Sequence, residues 1–485
     1  MSETSDYGIS EYPDSADIYR RLEGLVSRPL WQVNRPKMAE YLCYFDINCA
    51  RSKVLIDEAK TIIPGGVQHN LAFNYPFPIA MEKAEGAYLA DVDGNSYIDF
   101  LQAGGPTVLG SNYAPVRDKV VEMLKTCGPV TGLFSEYELK LARLVRRFMP
   151  SIEMFRMLGS GTESVMAAIR AARAYTGKKR VIKAGGAYHG WSDPMLYGLH
   201  IPGTGRLEAK GIPASASSKT DEFYPDSLCA LKAKLLVNRL RGGTAAVILE
   251  PLGPESGTRP VPFDFAAKVR ALCDEFGALL IFDEVVTGFR IGLGGAQGYF
   301  GVKPDITVFG KCITGGYPMA GGVGGRAEVI QRFASGIGGK TGARAYIGGT
   351  LSANPLSCAA GYYALLEMER TQAPLIAGKA GDRLRKGLQA IIDKHDLPFV
   401  TYNQGSIVHL ETTGVMLLDF HNPIRLMRET SPRKHMLEEM GAAYMANGLV
   451  TLAGSRMYTS MADTDSVIDD ALARFESVLS ECRPA

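Results

Sequence analysis

ALLIFDEVVTGFRIGLGGAQGYFGVKPDITVFGK, residues 278–311, holds two short apolar runs, each stopping on a residue foreign to a core. Ala278–Phe282 stops at Asp283; Ile306–Phe309 stops, one glycine later, at Lys311. Short apolar runs bounded by glycine and proline read as strands buried on both faces. Outward from this stretch, Val181-Ile182-Lys183 and Ala245–Leu249 read the same way. Helical spacing of apolar residues falls between them, at 162–176, 227–241 and 263–276. Buried strands alternating with helices predict an α/β fold, a mostly parallel central sheet with helices on both faces. Ligands of such sheets sit at the carboxyl ends of the strands, where Asp283 and Lys311 fall.

Further out, GAYLADVDGNSYIDFL (86–101) predicts a β-hairpin turning at Asp93-Gly94-Asn95. Beyond about residue 360 the chain reads as a smaller α+β domain ending in a helix over 463–481. The expected division is an N-terminal extension (1–50), a hairpin segment belonging to the small domain (51–105), a large domain (106–355) and a C-terminal small domain (356–485). Such a chain, 485 residues and 46% hydrophobic, can bury a large core in more than one domain. Its net charge of +2 gives no pull on nucleic acid, and no apolar run is long enough for a membrane helix. The polar N-terminus lacks an apolar signal core. Eight scattered cysteines show neither CxxC nor zinc spacing, which predicts reduced thiols, no metal site and a cytoplasmic enzyme.

Four pieces carry chemistry. Ser160-Gly161-Thr162 opens the helix ESVMAAIRAARAYTG, where free N–H groups and the helix dipole suit an anion; an ordinary N-cap is the alternative. Tyr188 and His189, on a glycine-flanked loop after VIKA, could stack on a flat ring or simply pack on the core. Asp283 is costly at a buried strand end unless paired, and a protonated ring nitrogen is a fitting partner; a metal or a salt bridge is the alternative. Lys311 offers an amine that desolvation makes nucleophilic toward an aldehyde, unless it snorkels to the surface. In chain order the pieces match the phosphate, ring face, ring nitrogen and aldehyde carbon of pyridoxal 5'-phosphate.

These stretches resemble the class III pyridoxal-phosphate aminotransferases of fold type I, and within them the glutamate-1-semialdehyde 2,1-aminomutase-like proteins. The resemblance covers roughly 55–480, through IPGGV (63–67), DVDGNSYIDF (91–100), GSGTESVMAAIRAARAYTG (159–177), IKAGGAYHGWSD (182–193), ILEP (248–251), LLIFDEVVTGFR (279–290), KPDITVFGK (303–311) and GGTLSANPLSCAAG (348–361). It implies that Lys311 holds the cofactor as a Schiff base and moves protons, and that Asp283 pairs with the ring nitrogen. Val285 and Tyr188 would cover the two ring faces, and Ser160, Gly161 and Thr162 would cradle the phosphate. Gly349 and Thr350 would reach a neighbouring subunit's phosphate, making the protein a homodimer with shared sites. Glu250 and Glu163 would support the cofactor, and His189 lies in the same set.

The match fails where the aminomutase carries a substrate-carboxylate arginine shortly after PGGV: no arginine occurs from Val67 to Ala80. LAGSRMYTSMAD likewise lacks the glutamate of the aminomutase's Phe-Glu-Ala stretch. His69, Asn70, Glu136 and Arg456 are the candidates for an altered substrate pocket. The expected activity is transamination of an amino acid or small amine, not formation of 5-aminolevulinate. A lyase, racemase or aminomutase on the same scaffold is the alternative.

Overall fold

The computed structural model describes residues 6–72, 74–128, 130–208, 210–334, 344–418 and 423–485. They divide into two compact units, one of the described residues among 6–7 and 114–374, the other of those among 8–113, 375–418 and 423–485.

The first unit is built on seven strands: β1 (Met154–Leu158), β2 (Arg180–Ala184), β3 (Thr220–Phe223), β4 (Thr244–Leu249), β5 (Leu279–Asp283), β6 (Ile306–Gly310) and β7 (Gly321–Gly325). Their order across the sheet is β1-β7-β6-β5-β4-β2-β3. The run from β6 to β3 is parallel. Period-two alternation of side chains separates its two faces. Ala246 and Ile248 of β4 join Val165, Ala168 and Ile169 of the helix Gly161–Thr176 in one core layer. Val247 and Leu249 join Leu231, Leu235 and Val269 from the helices Leu228–Arg239 and Phe265–Phe276 in another. β5 repeats the rule, with Leu279 and Ile281 in the first layer, Leu280 and Phe282 in the second. This is the α/β sheet, covered on both faces, that the apolar runs predict.

β7 is the departure. It reads GGVGG and runs antiparallel to both β6 and β1. A Cβ on Gly322 would come 2.7 Å from the Phe155 ring, one on Gly324 2.6 Å from Ile152, and one on Gly321 2.5 Å from the Ser160 backbone. The bare strand thus lets the turn at Ser160 lie directly against the sheet. The helix Pro355–Thr371 also belongs to this unit, packed on the helices Ala114–Thr126 and Glu136–Phe148.

The second unit contains the predicted hairpin. Tyr88–Asp91 pairs antiparallel with Ser96–Asp99, and Asp91 Oδ1 accepts the N–H groups of Asp93 (3.0 Å) and Asn95 (2.8 Å) in the turn. The helices Ser15–Ser27 and Arg35–Asn48 supply Ile18, Leu22, Leu25, Met38, Tyr41 and Phe45 to this unit's core. Between them Trp31–Val33 pairs with Cys482–Pro484, so the two ends of the chain share a ladder. The last helix is Asp465–Leu479.

Candidate active site

Each strand-end residue singled out above lies at the carboxyl edge of the first unit's sheet. Asp283 closes β5 and is 5% exposed. Its Oδ1 accepts the N–H of Val285 at 3.1 Å, and its Oδ2 lies 2.7 Å from His189 Nδ1. His189 is buried too, and its Nε2 has no hydrogen-bond partner. Burial pushes the imidazole below its usual range, against the opposing pull of Asp283.

Lys311 follows β6 directly and has φ +45°. A side chain in the left-handed region costs on the order of 1–3 kcal/mol, and such strain gathers at functional positions. Here it turns the chain from the strand into the 3-10 turn Lys311–Thr314. Val285 ties this strand end to the helix start. Its methyl groups would lie 2.8 Å from a Cβ on Gly310 and 2.9 Å from one on Gly161.

The helix Gly161–Thr176 begins at Ser160, whose Oγ accepts the Glu163 N–H at 3.2 Å. Glu163 Oε2 accepts the Gly159 N–H at 2.8 Å, so Glu163 closes the turn from the other side. The N-cap reading of SGT is what the structure shows, and it is compatible with an anion site: the cap takes one N–H, while helix geometry leaves those of Gly161 and Thr162 without intrahelical acceptors. Gly190, with φ +81°, lies so close to Thr162 that a Cβ there would overlap Thr162 Oγ1. The loop after β2 is thus brought against both the helix start and Asp283.

Tyr188, on that loop, is 46% exposed, and its N–H donates to Glu250 Oε1 at 3.0 Å. Glu250, just after β4, also accepts the N–H groups of Glu255 (3.0 Å) and Ser256 (2.7 Å). Burial, with repulsion from Glu255 and Asp283, pushes its carboxyl up to about 8. Glu250 reaches the site through the Tyr188 backbone.

Ser160, Gly161, Thr162, Tyr188, His189, Glu250, Asp283, Val285 and Lys311 accordingly form one contiguous group. Gly349 and Thr350 are exposed; a Cβ on Gly349 would lie 3.5 Å from Glu163 Oε2 of the same chain. Of the substrate candidates, Glu136 belongs to the first unit and His69, Asn70 and Arg456 to the second. Glu136 is exposed and pairs with Lys140 at 3.0 Å on its own helix. His69 and Asn70 are exposed in the second unit, and His69 Nδ1 accepts the Leu71 N–H at 3.1 Å. Arg456 opens the strand Arg456–Tyr458, in register with His409.

The acid next to Asp283 has a different task. Glu284 is fully buried, and its carboxylate takes the N–H groups of Ala296 (2.7 Å) and Gln297 (2.9 Å) and the hydroxyl of Thr287 (2.8 Å). It braces the following loop, and Asp283 is the acid left at the site. Lys183 was missed as more than a strand residue. Its side chain is fully buried in β2, and burial pushes its ammonium down to about 8.

The group fits pyridoxal phosphate on these terms. First-turn N–H groups suit a phosphate, the buried carboxylate suits a ring cation, Val285 offers an apolar face, and a strained lysine supplies the amine. Among the described residues no group of three or more His, Cys, Asp or Glu is placed to hold a metal, and no helix is long and apolar enough to cross a membrane.

The fold and this group define a fold type I pyridoxal-phosphate enzyme. The family model "Aminotransferase class-III" matches residues 71–446, and the chain belongs to that family: it is a pyridoxal-phosphate-dependent aminotransferase-class enzyme. Among solved structures it is similar to an omega-transaminase from Sphaerobacter thermophilus (27% identity, TM-score 0.78, covering 90% of this chain and 99% of that one). It is similar to a β-phenylalanine aminotransferase from Variovorax paradoxus (25%, TM-score 0.76, 95% and 97%). A glutamate-1-semialdehyde-aminomutase from Pseudomonas aeruginosa PAO1 shares the fold (23%, TM-score 0.78, 96% and 99%).

Proposed function

We propose that this chain transfers amino groups from an amino acid or small amine to a carbonyl acceptor, and that it is not the glutamate-1-semialdehyde aminomutase. The observation that carries the proposal is the contiguity of Asp283, Val285, Gly310 and Lys311 with the helix start at Gly161. Pyridoxal phosphate, when bound, supplies an aldehyde that condenses with amines and a ring that accepts an electron pair. Lys311 Nζ would hold the cofactor through its aldehyde and would serve as the amine that moves a proton at the substrate carbon. Asp283 would hold the ring nitrogen as a cation, with His189 orienting its carboxyl through Oδ2. Val285 and Tyr188 would flank the ring, and the N–H groups of Gly161 and Thr162 would hold the phosphate. Gly349 and Thr350 complete the phosphate site of a second copy, in a homodimer.

Similarity to the omega-transaminase and the β-phenylalanine aminotransferase supports an outcome of transfer. The lack of any arginine from Val67 to Ala80 argues for a substrate other than that of the aminomutase. A panel of amines and amino acids, each mixed with stoichiometric enzyme and no acceptor, tests the reading. A productive donor is expected to leave the amine form of the cofactor, and adding a keto acid is expected to restore the starting spectrum. Ammonia release with return of the starting spectrum, without an acceptor, would mean elimination and defeat the proposal.

A further inference from the structure

Lys183 has no part in the chemistry described so far. It is the fourth residue of β2, and its side chain is fully buried. Its Nζ donates to the carbonyl oxygens of Ala187 (2.7 Å), Tyr197 (3.0 Å) and Met195 (3.2 Å), with that of Gly198 at 3.5 Å. All four acceptors belong to the single loop that leaves the end of β2. The carboxylates of Glu222, Glu250, Glu255 and Glu208 act on it only at longer range. Taking an ammonium out of water costs several kcal/mol unless other groups replace its hydration. Converging peptide carbonyls do so here, as they do for a dehydrated potassium ion. The dependence runs the other way too, because buried carbonyls without a donor are themselves costly.

The same loop makes three of the contacts that assemble the cofactor site. The Tyr188 N–H is held by Glu250, the His189 ring meets Asp283, and the Gly190 backbone presses on Thr162. Of the residues between Ala187 and Gly198, these three follow at once on the first carbonyl that Lys183 binds. A shift in that carbonyl therefore moves all three contacts together.

We propose that Lys183 is a positioning residue: its amine gathers the carbonyls of the 187–198 loop and so sets Tyr188, His189 and Gly190 in place before the cofactor arrives. The inference rests on the placement of Tyr188 and His189 beside the cofactor argued above. It adds that the loop is ordered from beneath, by the protein, and not from above, by the ligand.

Amide hydrogen exchange on the cofactor-free wild-type enzyme tests this without any variant. Residues 187–198 are expected to exchange within about tenfold of their rate in the loaded enzyme. A loss of protection beyond about a hundredfold on removing pyridoxal phosphate would show that the ligand orders the loop, and would overturn the proposal. Variants sharpen the test. K183M is expected to speed exchange in 187–198 and weaken pyridoxal phosphate binding by about tenfold or more, leaving the helix Asp465–Leu479 unchanged. Unchanged exchange and affinity in K183M would overturn it. K183A lacks the volume of one propylammonium ion, so propylammonium chloride is expected to recover affinity where propanol does not; equal recovery by both would reduce the lysine to a space filler and also overturn it. Should either variant fail to fold, the wild-type exchange result decides alone. Variants at Tyr188 and His189 that keep full cofactor affinity would sink the placement of those residues while leaving the exchange result to judge Lys183.

Discussion

The carboxyl edge of the large sheet and the segment from Pro64 to Ala80 differ in how tightly each is determined. At the sheet edge the carboxyl groups are committed. Asp283 is held from two sides, Glu250 accepts three N–H groups, and neighbours crowd Gly161, Gly190 and Gly310 so closely that no side chain fits. In the segment 64–80 the residues around His69 are exposed, and His69 is held by one local bond to Leu71. The first region cannot change a residue without disturbing several others. The second carries few such commitments, so a substitution at His69 disturbs little beyond its own turn.

The contrast breaks most visibly at Lys311. K311A is expected to lower single-turnover rates by at least about 10⁴-fold while still binding pyridoxal phosphate noncovalently, measured by rapid-scan absorbance. Near-normal turnover would remove the chemistry from the sheet edge altogether. D283N is expected to cost about 10²- to 10³-fold in kcat with a smaller change in KM, because Asn cannot hold the ring nitrogen's proton electrostatically. T350A is expected to release the cofactor roughly tenfold faster, checked by dialysis and light scattering. A stable, active monomer would exclude a shared site.

Acid should act through His189. Burial holds its folded-state value below that of the unfolded chain, so the unfolded chain binds the extra proton first. The imidazole's contribution to stability is present above the ordinary imidazole range and is lost as pH falls through it. Cofactor release is expected to accelerate below about pH 6.5, and H189N should flatten that limb of the profile; an identical limb in H189N would assign it elsewhere. The smallest effect belongs to the loosely held segment: H69A is expected to alter KM and donor preference while changing cofactor affinity by less than about threefold. A collapse of cofactor affinity in H69A would erase the distinction between the two regions.

Much of this was legible from the sequence for a simple reason. β4 and β5 are apolar runs that stop on an acid, Glu250 and Asp283, and β6 stops one glycine before Lys311, so strand end and candidate site fall at the same boundary. The helix after Ser160 and the hairpin at Asp93-Gly94 carry their own cap and turn chemistry. β7 was not legible, because glycine is depleted in strands, and GGVGG is required by contacts with Phe155, Ile152 and Ser160 that no local pattern announces. The use of Glu284 to hold the loop at 296–297 also lay beyond the sequence, since its partners are backbone N–H groups twelve and thirteen residues on. Lys183 looked like an ordinary strand lysine because its acceptors are backbone carbonyls, which leave no trace in residue type.

The antiparallel glycine strand has a consequence for biosynthesis. β1 ends at Leu158, yet its neighbour in the sheet is not made until Gly321 leaves the ribosome. Until then β1 has no sheet partner and β6 presents an unpaired edge, the situation in which nascent chains stick to one another. Closure therefore comes late, by insertion of a strand almost without side chains between two that are already waiting, and in a growing polypeptide a ribbon of glycines is the shape best able to slide into that gap.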